Sequence, residues 1–179
     1  CMLTASLLIA ILAVALLIIR IWGYFEGETF LLDAIDEWRL SRQPITKLDA
    51  ASLANANRAD VIVTLTTIPS RFALMEPTIK SLLRQKLAPR QIIINVPDYS
   101  IREKTAYVVP AFLKQLKSVG INPCRDQGPA TKFLPVVNTA EAGQMIIVVD
   151  DDRIYPDTLV SELVAAASAN PEAAFCMSG

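Results

Sequence analysis

Met145-Ile-Ile-Val-Val149 runs directly into Asp150-Asp151-Asp152, and this junction decides how the chain is read. A short apolar run rich in β-branched residues suits a buried strand. Three carboxylates at its end repel one another, and a nearby cation relieves that repulsion. In an open α/β sheet, ligands bind outside the carboxyl ends of the strands. Carboxylate oxygens there are hard ligands suited to magnesium or manganese, which commonly bridge to phosphates. Asp150 and Asp152 can converge on one ion if the chain stays extended, while Asp151 points elsewhere. The plainer reading is a solvated turn, or the acidic start of the helix expected from Pro156.

Working outward, strands and helices alternate from Asp60 onward. Val61–Leu65 and Ile92–Val96 read as strands, each stopped by a Pro-containing turn. Met75, Ile79, Leu82 and Leu83 repeat at helical spacing, with Pro77 in the first turn. Phe112, Leu113, Leu116 and Val119 predict another helix, capped by Gly120. A short helix is expected near 132–138, a helix from Pro156 carrying Leu159, Leu163, Val164 and Ala167, and a strand at Ala174–Met177. This order is that of an α/β fold around a largely parallel sheet covered on both faces. Other strand-end candidates are Thr66, Thr67, Pro69 and Arg71 after the first strand, and Asn95 and Asp98 closing the second. Lys132, in Gly128-Pro-Ala-Thr-Lys132, can meet a diphosphate as a point charge. Each of these taken alone is also ordinary turn or surface chemistry.

The N-terminal side reads differently. Met2 to Ile19 is an eighteen-residue run without charge, followed by Arg20 and Trp22. Its length approaches the ~30 Å hydrocarbon core of a bilayer. Residues 1–25 are therefore expected to be a retained transmembrane anchor rather than a cleaved signal peptide, which has a basic start and a shorter apolar core. Trp22 and Tyr24 suit the membrane interface, and Arg20 can snorkel to it. Arg20, Arg39 and Arg42 all follow the run, so the positive-inside rule places a single-pass protein's bulk in the cytoplasm. A Golgi or endoplasmic-reticulum lumen is the alternative for a eukaryotic chain. Residues 26–59 are expected to hold an amphipathic juxtamembrane helix over 29–42, with Leu31, Ile35 and Trp38 on one face, and a link over 49–58. Residues 60–179 form the expected globular part.

Composition narrows the chemistry. The chain has 179 residues, 53% hydrophobic, with 17 Lys+Arg against 18 Asp+Glu and no His. The missing His excludes Ser-His-Asp hydrolysis, Cys-His proteases and His-ligated zinc. Balanced charge excludes the basic excess of a nucleic-acid binder. Cysteines at positions 1, 124 and 176 match no C-x-x-C pattern and favour a reducing compartment. A chain that opens on Cys1 is expected to be a fragment or a processed form.

The combination of TLTTIPSR, GPATK, VVDDD and RIYP resembles nucleotide-sugar glycosyltransferases of the GT-A fold. The likeness is to membrane-linked bacterial family-2-type enzymes and to exostosin-like transferases, and it covers residues 60–179. It implies a GT-A, Rossmann-like sheet, mixed but mostly parallel, with flanking helices. It also implies a D-x-D motif, with Asp152 as principal metal ligand and Asp150 and Asp151 as supporting donor contacts. Asp150 is taken as a second metal ligand. Thr66 and Arg71 match the nucleotide-binding first loop, Asn95 or Asp98 the base-binding end of strand two, and Lys132 the basic residue before the D-x-D strand. The implied cofactor is manganese or magnesium. The implied partners are a nucleoside diphosphate sugar, expected to be a UDP-sugar, a glycan, lipid or protein acceptor, and the membrane. Only 27 residues follow Asp152, and no catalytic base is assignable. The base is expected beyond Gly179, in which case this chain is truncated and inactive. The alternatives are a metal-dependent nucleotidyltransferase and a non-catalytic nucleotide-sugar-binding membrane protein. The first is disfavoured because no Gly lies between Asp60 and Gly120 to cradle a triphosphate.

Overall fold

The computed structural model describes residues 2–26 and 30–176, with side chains left out for part of the first two helices. The chain divides into two units, Cys1–Arg42 and Gln43–Gly179.

The first unit holds helices α1 (Met2–Glu26) and α2 (Phe30–Ser41). Ten described apolar side chains of α1, from Leu7 to Ile21, are 43–68% exposed. Among the described residues, no helix is long and apolar enough to cross a membrane. The anchor expected over residues 1–25 is therefore not shown, and Trp22 and Tyr24 have side chains outside the described residues. The expected helix over 29–42 corresponds to α2. Its Ile35 and Trp38 are exposed, and the Arg42 guanidinium lies 3.8 Å over the Trp38 ring. Leu31, expected on the same face, has a side chain outside the described residues.

The second unit begins with α3 (Ile45–Ala54), part of which had been read as a link. Its Asp49 is buried, and the carboxylate accepts from the backbone N–H groups of Lys117 and Ser118 at 3.0 and 2.8 Å. That satisfaction of backbone donors ties α3 to the segment before a strand. There follow β1 (Arg58–Thr66), a 3-10 segment at Pro69–Met75, α4 (Glu76–Leu83) and β2 (Ala88–Pro97). A two-stranded antiparallel hairpin comes next, β3 (Tyr99–Ser100) and β4 (Thr105–Ala106), then β5 (Val119–Cys124). The chain continues with a 3-10 turn at Ala130–Lys132, α5 (Leu134–Val137), β6 (Met145–Val148) and α6 (Leu159–Ala169).

β1, β2, β5 and β6 form one sheet in the order β5-β2-β1-β6, with every pairing parallel. The sheet order reverses between β1 and β6, since the chain moves outward from β1 to β5 and returns to β1's other side. Register aligns Val63 with Ile92 and Ile147, and Leu65 with Ile94. These residues share one face and are all buried with Phe72, Met75, Ile79, Leu82 and Leu159. The opposite face carries Thr64, Thr66, Asn95 and Asn122 at matching registers. There Val148 is 46% exposed, so the two faces are not equally covered.

Two sequence expectations give way. Residues 112–118 form only a 3-10 turn, Leu113–Gln115, while Val119 opens β5 and Gly120 lies inside it rather than capping a helix. The helix-like spacing was real, but Leu116 and Val119 are buried where the chain enters β5, and from Val119 on the backbone pairs in parallel with β2. A Cβ at Gly120 would sit 2.9 Å from the Gln91 side-chain nitrogen, so the small residue lets Gln91 fold over the strand. Residues 174–176 form no strand, and Met177 lies outside the described residues.

Candidate functional site

A cavity of about 780 Å³ opens at the carboxyl ends of β1 and β6. Sheet order reverses between these strands, and a crevice at such a point is where open α/β sheets bind ligands. The structure brings seven of the expected residues to it: Thr66, Thr67, Arg71, Lys132, Asp150, Asp151 and Asp152.

The three consecutive carboxylates have different surroundings. Asp151 is 9% exposed and turns toward β1. Its carboxylate accepts from the Thr67 hydroxyl and is held by two guanidinium nitrogens of Arg71, Nε at 3.2 Å. Its backbone carbonyl accepts from the Thr78 hydroxyl at 2.9 Å. The hydrogen-bonded Asp151 carboxylate raises the Arg71 pKa above its ordinary value and keeps the guanidinium charged. Asp152 is more open, its side chain 58% exposed, with a carboxylate oxygen 3.2 Å from Arg71. Asp150 is paired with the Lys132 ammonium. The Asp150 N–H donates to the Tyr155 hydroxyl at 2.7 Å, and burial pushes the Tyr155 pKa up to about 12. Tyr155 thereby fixes the backbone direction at the first carboxylate while staying neutral.

The positive charge that three adjacent carboxylates require is thus supplied within the chain, by Arg71 and Lys132. This group of five side chains still sums to one net negative charge. Among the described residues, no group of three or more acidic or cysteine side chains is arranged to hold a metal ion. The carboxylates that could hold a divalent cation are Asp150 and Asp152, both lining the cavity and both partly solvated. Magnesium and manganese accept one or two protein carboxylates when phosphates complete the shell, and this pair fits that requirement. Asp151 is occupied by Arg71 and Thr67.

Asn95 and Asp98 are not brought to the cavity. Asn95 is fully buried: its amide donates to Thr64 Oγ1 at 2.9 Å and to the Lys132 carbonyl at 3.1 Å, and its oxygen accepts from Asn122 at 2.8 Å. The Thr64 hydroxyl also donates to the Lys132 carbonyl, at 2.8 Å. This polar ladder across β1, β2 and β5 carries the Gly128–Lys132 turn and so places Lys132. Asp98 is exposed beside the hairpin. The acidic residue at that end of the cavity is Asp126, which accepts from the N–H groups of Ile101 and Gly128, both at 2.8 Å. Gly128 has φ of 61°, a conformation that suits glycine and lets the chain turn back toward Asp126.

Sequence reasoning also missed Arg102, Tyr107 and Arg153, which line the cavity. The Tyr107 hydroxyl donates to the Thr67 carbonyl at 2.9 Å, and its ring meets Phe72 edge-on at 6.0 Å. Arg153 directly follows the acidic triplet, and that adjacency was the available signal.

Asp151→Asn is expected to destabilise the protein by about 2 kcal/mol, because a nearly buried acceptor of charged hydrogen bonds loses its charge. Asp152→Asn is expected to cost under about 1 kcal/mol, as for a solvent-screened ion pair. Urea unfolding of both variants checks the order, and an equal or reversed cost would contradict the division between anchoring and open carboxylates.

Comparison with protein-family models, with curated proteins and with solved structures found no match to this chain. The functional reading rests on the cavity's own geometry and on the motifs in the sequence.

Proposed function

We propose that the second unit binds a nucleoside diphosphate sugar and serves transfer of its sugar to an acceptor hydroxyl, with a UDP-sugar as the expected donor. One observation carries the reading: Asp150, paired with Lys132, and Asp152, beside Arg71, are partly solvated carboxylates lining a cavity at the point where sheet order reverses. The resemblance of TLTTIPSR, GPATK and VVDDD to GT-A glycosyltransferases gives that cavity its donor class.

In this reading Asp150 and Asp152 hold a magnesium or manganese ion, which supplies Lewis-acid stabilisation of negative charge on the departing diphosphate. Lys132 exchanges Asp150 for a phosphate oxygen and adds electrostatic stabilisation. Arg71 stays on Asp151 and fixes the turn on which both metal-facing carboxylates stand. The acceptor oxygen bonds to the anomeric carbon as the bond from that carbon to the diphosphate oxygen breaks. The acceptor's proton passes to a base that this chain's described residues do not assign.

Membrane attachment belongs to the same proposal. The uncharged run from Met2 to Ile19 and the exposed apolar side chains of α1 support it. After a carbonate wash of membranes, the full chain is expected in the pellet; recovery in the supernatant would contradict attachment.

Calorimetric titration of UDP into the full chain tests the site. Manganese is expected to tighten binding by at least about tenfold, a difference of ~1.4 kcal/mol. In Asp152→Asn that dependence should vanish while the thermal transition is retained. Equal manganese dependence in both proteins would contradict the metal assignment.

A further inference from the structure

The cavity's basic side chains are Arg71, Arg102, Lys132 and Arg153. Arg71 and Lys132 are already paired with the acidic triplet. Asp126, the remaining acidic residue of the lining, spends its carboxylate on the backbone N–H groups of Ile101 and Gly128. Among the described residues, Arg102 has no ion-pair partner. Arg153 likewise has no ion-pair partner among the described residues, so the positive charge of the lining that the triplet does not already pair sits on Arg102 and Arg153.

The exposed Arg102 has its backbone position fixed by its neighbours. It sits in the turn of the β3–β4 hairpin, closed by the Lys104 N–H donating to the Ser100 carbonyl at 2.9 Å. Ser100 is 1% exposed, and its hydroxyl accepts from the Glu103 N–H at 3.2 Å. On one flank Ile101 donates to Asp126; on the other, Glu103 accepts from the Ser70 backbone N–H at 2.9 Å and from its hydroxyl. Lys104 takes a φ of 54°, unusual for a residue with a side chain. Neighbours on both sides of Arg102 are thus tied to the cavity walls, one to the loop after β5 and one to the segment after β1. A hairpin this short gains little from its own pairing, so its position is set by these ties.

We infer that Arg102 is a phosphate-binding residue of this cavity, presented by the β3–β4 hairpin to the diphosphate of the bound ligand. A guanidinium offers a planar fork of N–H donors matched to phosphate oxygens. The inference deepens the donor-binding reading and depends on it only for the nucleoside part of the ligand.

The test uses the full chain and Arg102→Gln, titrated with inorganic pyrophosphate, UDP and uridine in the presence of manganese. Arg102→Gln is expected to weaken pyrophosphate and UDP by at least about tenfold, to leave uridine unchanged, and to keep the wild-type thermal transition. Arg102→Lys should recover part of the affinity. Equal pyrophosphate affinity in wild type and Arg102→Gln would overturn the inference. So would a loss shared by uridine, which would mean that the guanidinium stacks on the base. Failure of pyrophosphate to bind wild type would overturn it as well. If pyrophosphate depends on Arg102 while UDP binds no better than pyrophosphate, the phosphate role stands and the nucleotide reading falls.

Discussion

The buried Asp151 carboxylate is the constraint around which the site is arranged. It receives the Arg71 guanidinium and the Thr67 hydroxyl from the segment after β1, while its backbone carbonyl receives Thr78 from α4. A nearly buried charge needs this pairing, because an unsatisfied carboxylate in that position carries a large desolvation penalty. Asp150 and Asp152, on either side of Asp151 in the bend that follows β6, stay partly solvated on the cavity lining. The same pairing joins the ends of β1 and β6 on the two sides of the point where sheet order reverses.

A second polar network does for Lys132 what Asp151 does for the carboxylates. Thr64, Asn95 and Asn122 form a ladder on one sheet face, and two of them hold the Lys132 carbonyl. The ammonium then falls against Asp150. Both networks lie within the sheet or its immediate loops, so the charged groups of the cavity are placed by rigid elements. The hairpin is the exception, since it is attached through Asp126 and Glu103 rather than through the sheet.

What the sequence revealed follows from which forces act locally. The strands at 61–65, 92–96 and 145–149 were legible because burial leaves continuous β-branched runs, and α4 because Met75, Ile79, Leu82 and Leu83 keep helical spacing. The placement of the acidic triplet at a strand end followed from the same pattern. The segment 112–120 misled because apolar residues spaced like a helix face were buried against a sheet edge instead. Asn95 was read as a ligand contact because it ends a strand; only the sheet register shows Thr64 and Asn122 beside it. The roles of Asp126 and Glu103 depend on backbone N–H groups 25 and 33 residues away in the chain, which leave no periodic trace. The division of the triplet was not legible: the expectation that Asp150 and Asp152 converge assumed an extended chain, but the chain bends at Asp151 and Asp152, and the partner Arg71 comes from 80 residues earlier.

The central claim is that Asp150 and Asp152, and not Asp151, face a metal-bound diphosphate. Crystals of the full chain grown with UDP and manganese, measured at the manganese absorption edge, test it most directly. The account predicts one anomalous peak within coordinating distance of Asp150 or Asp152 and of a UDP phosphate oxygen, with Asp151 still on Arg71. A UDP molecule bound without a manganese peak at these carboxylates, or a peak coordinated by Asp151 with Arg71 displaced, would contradict it.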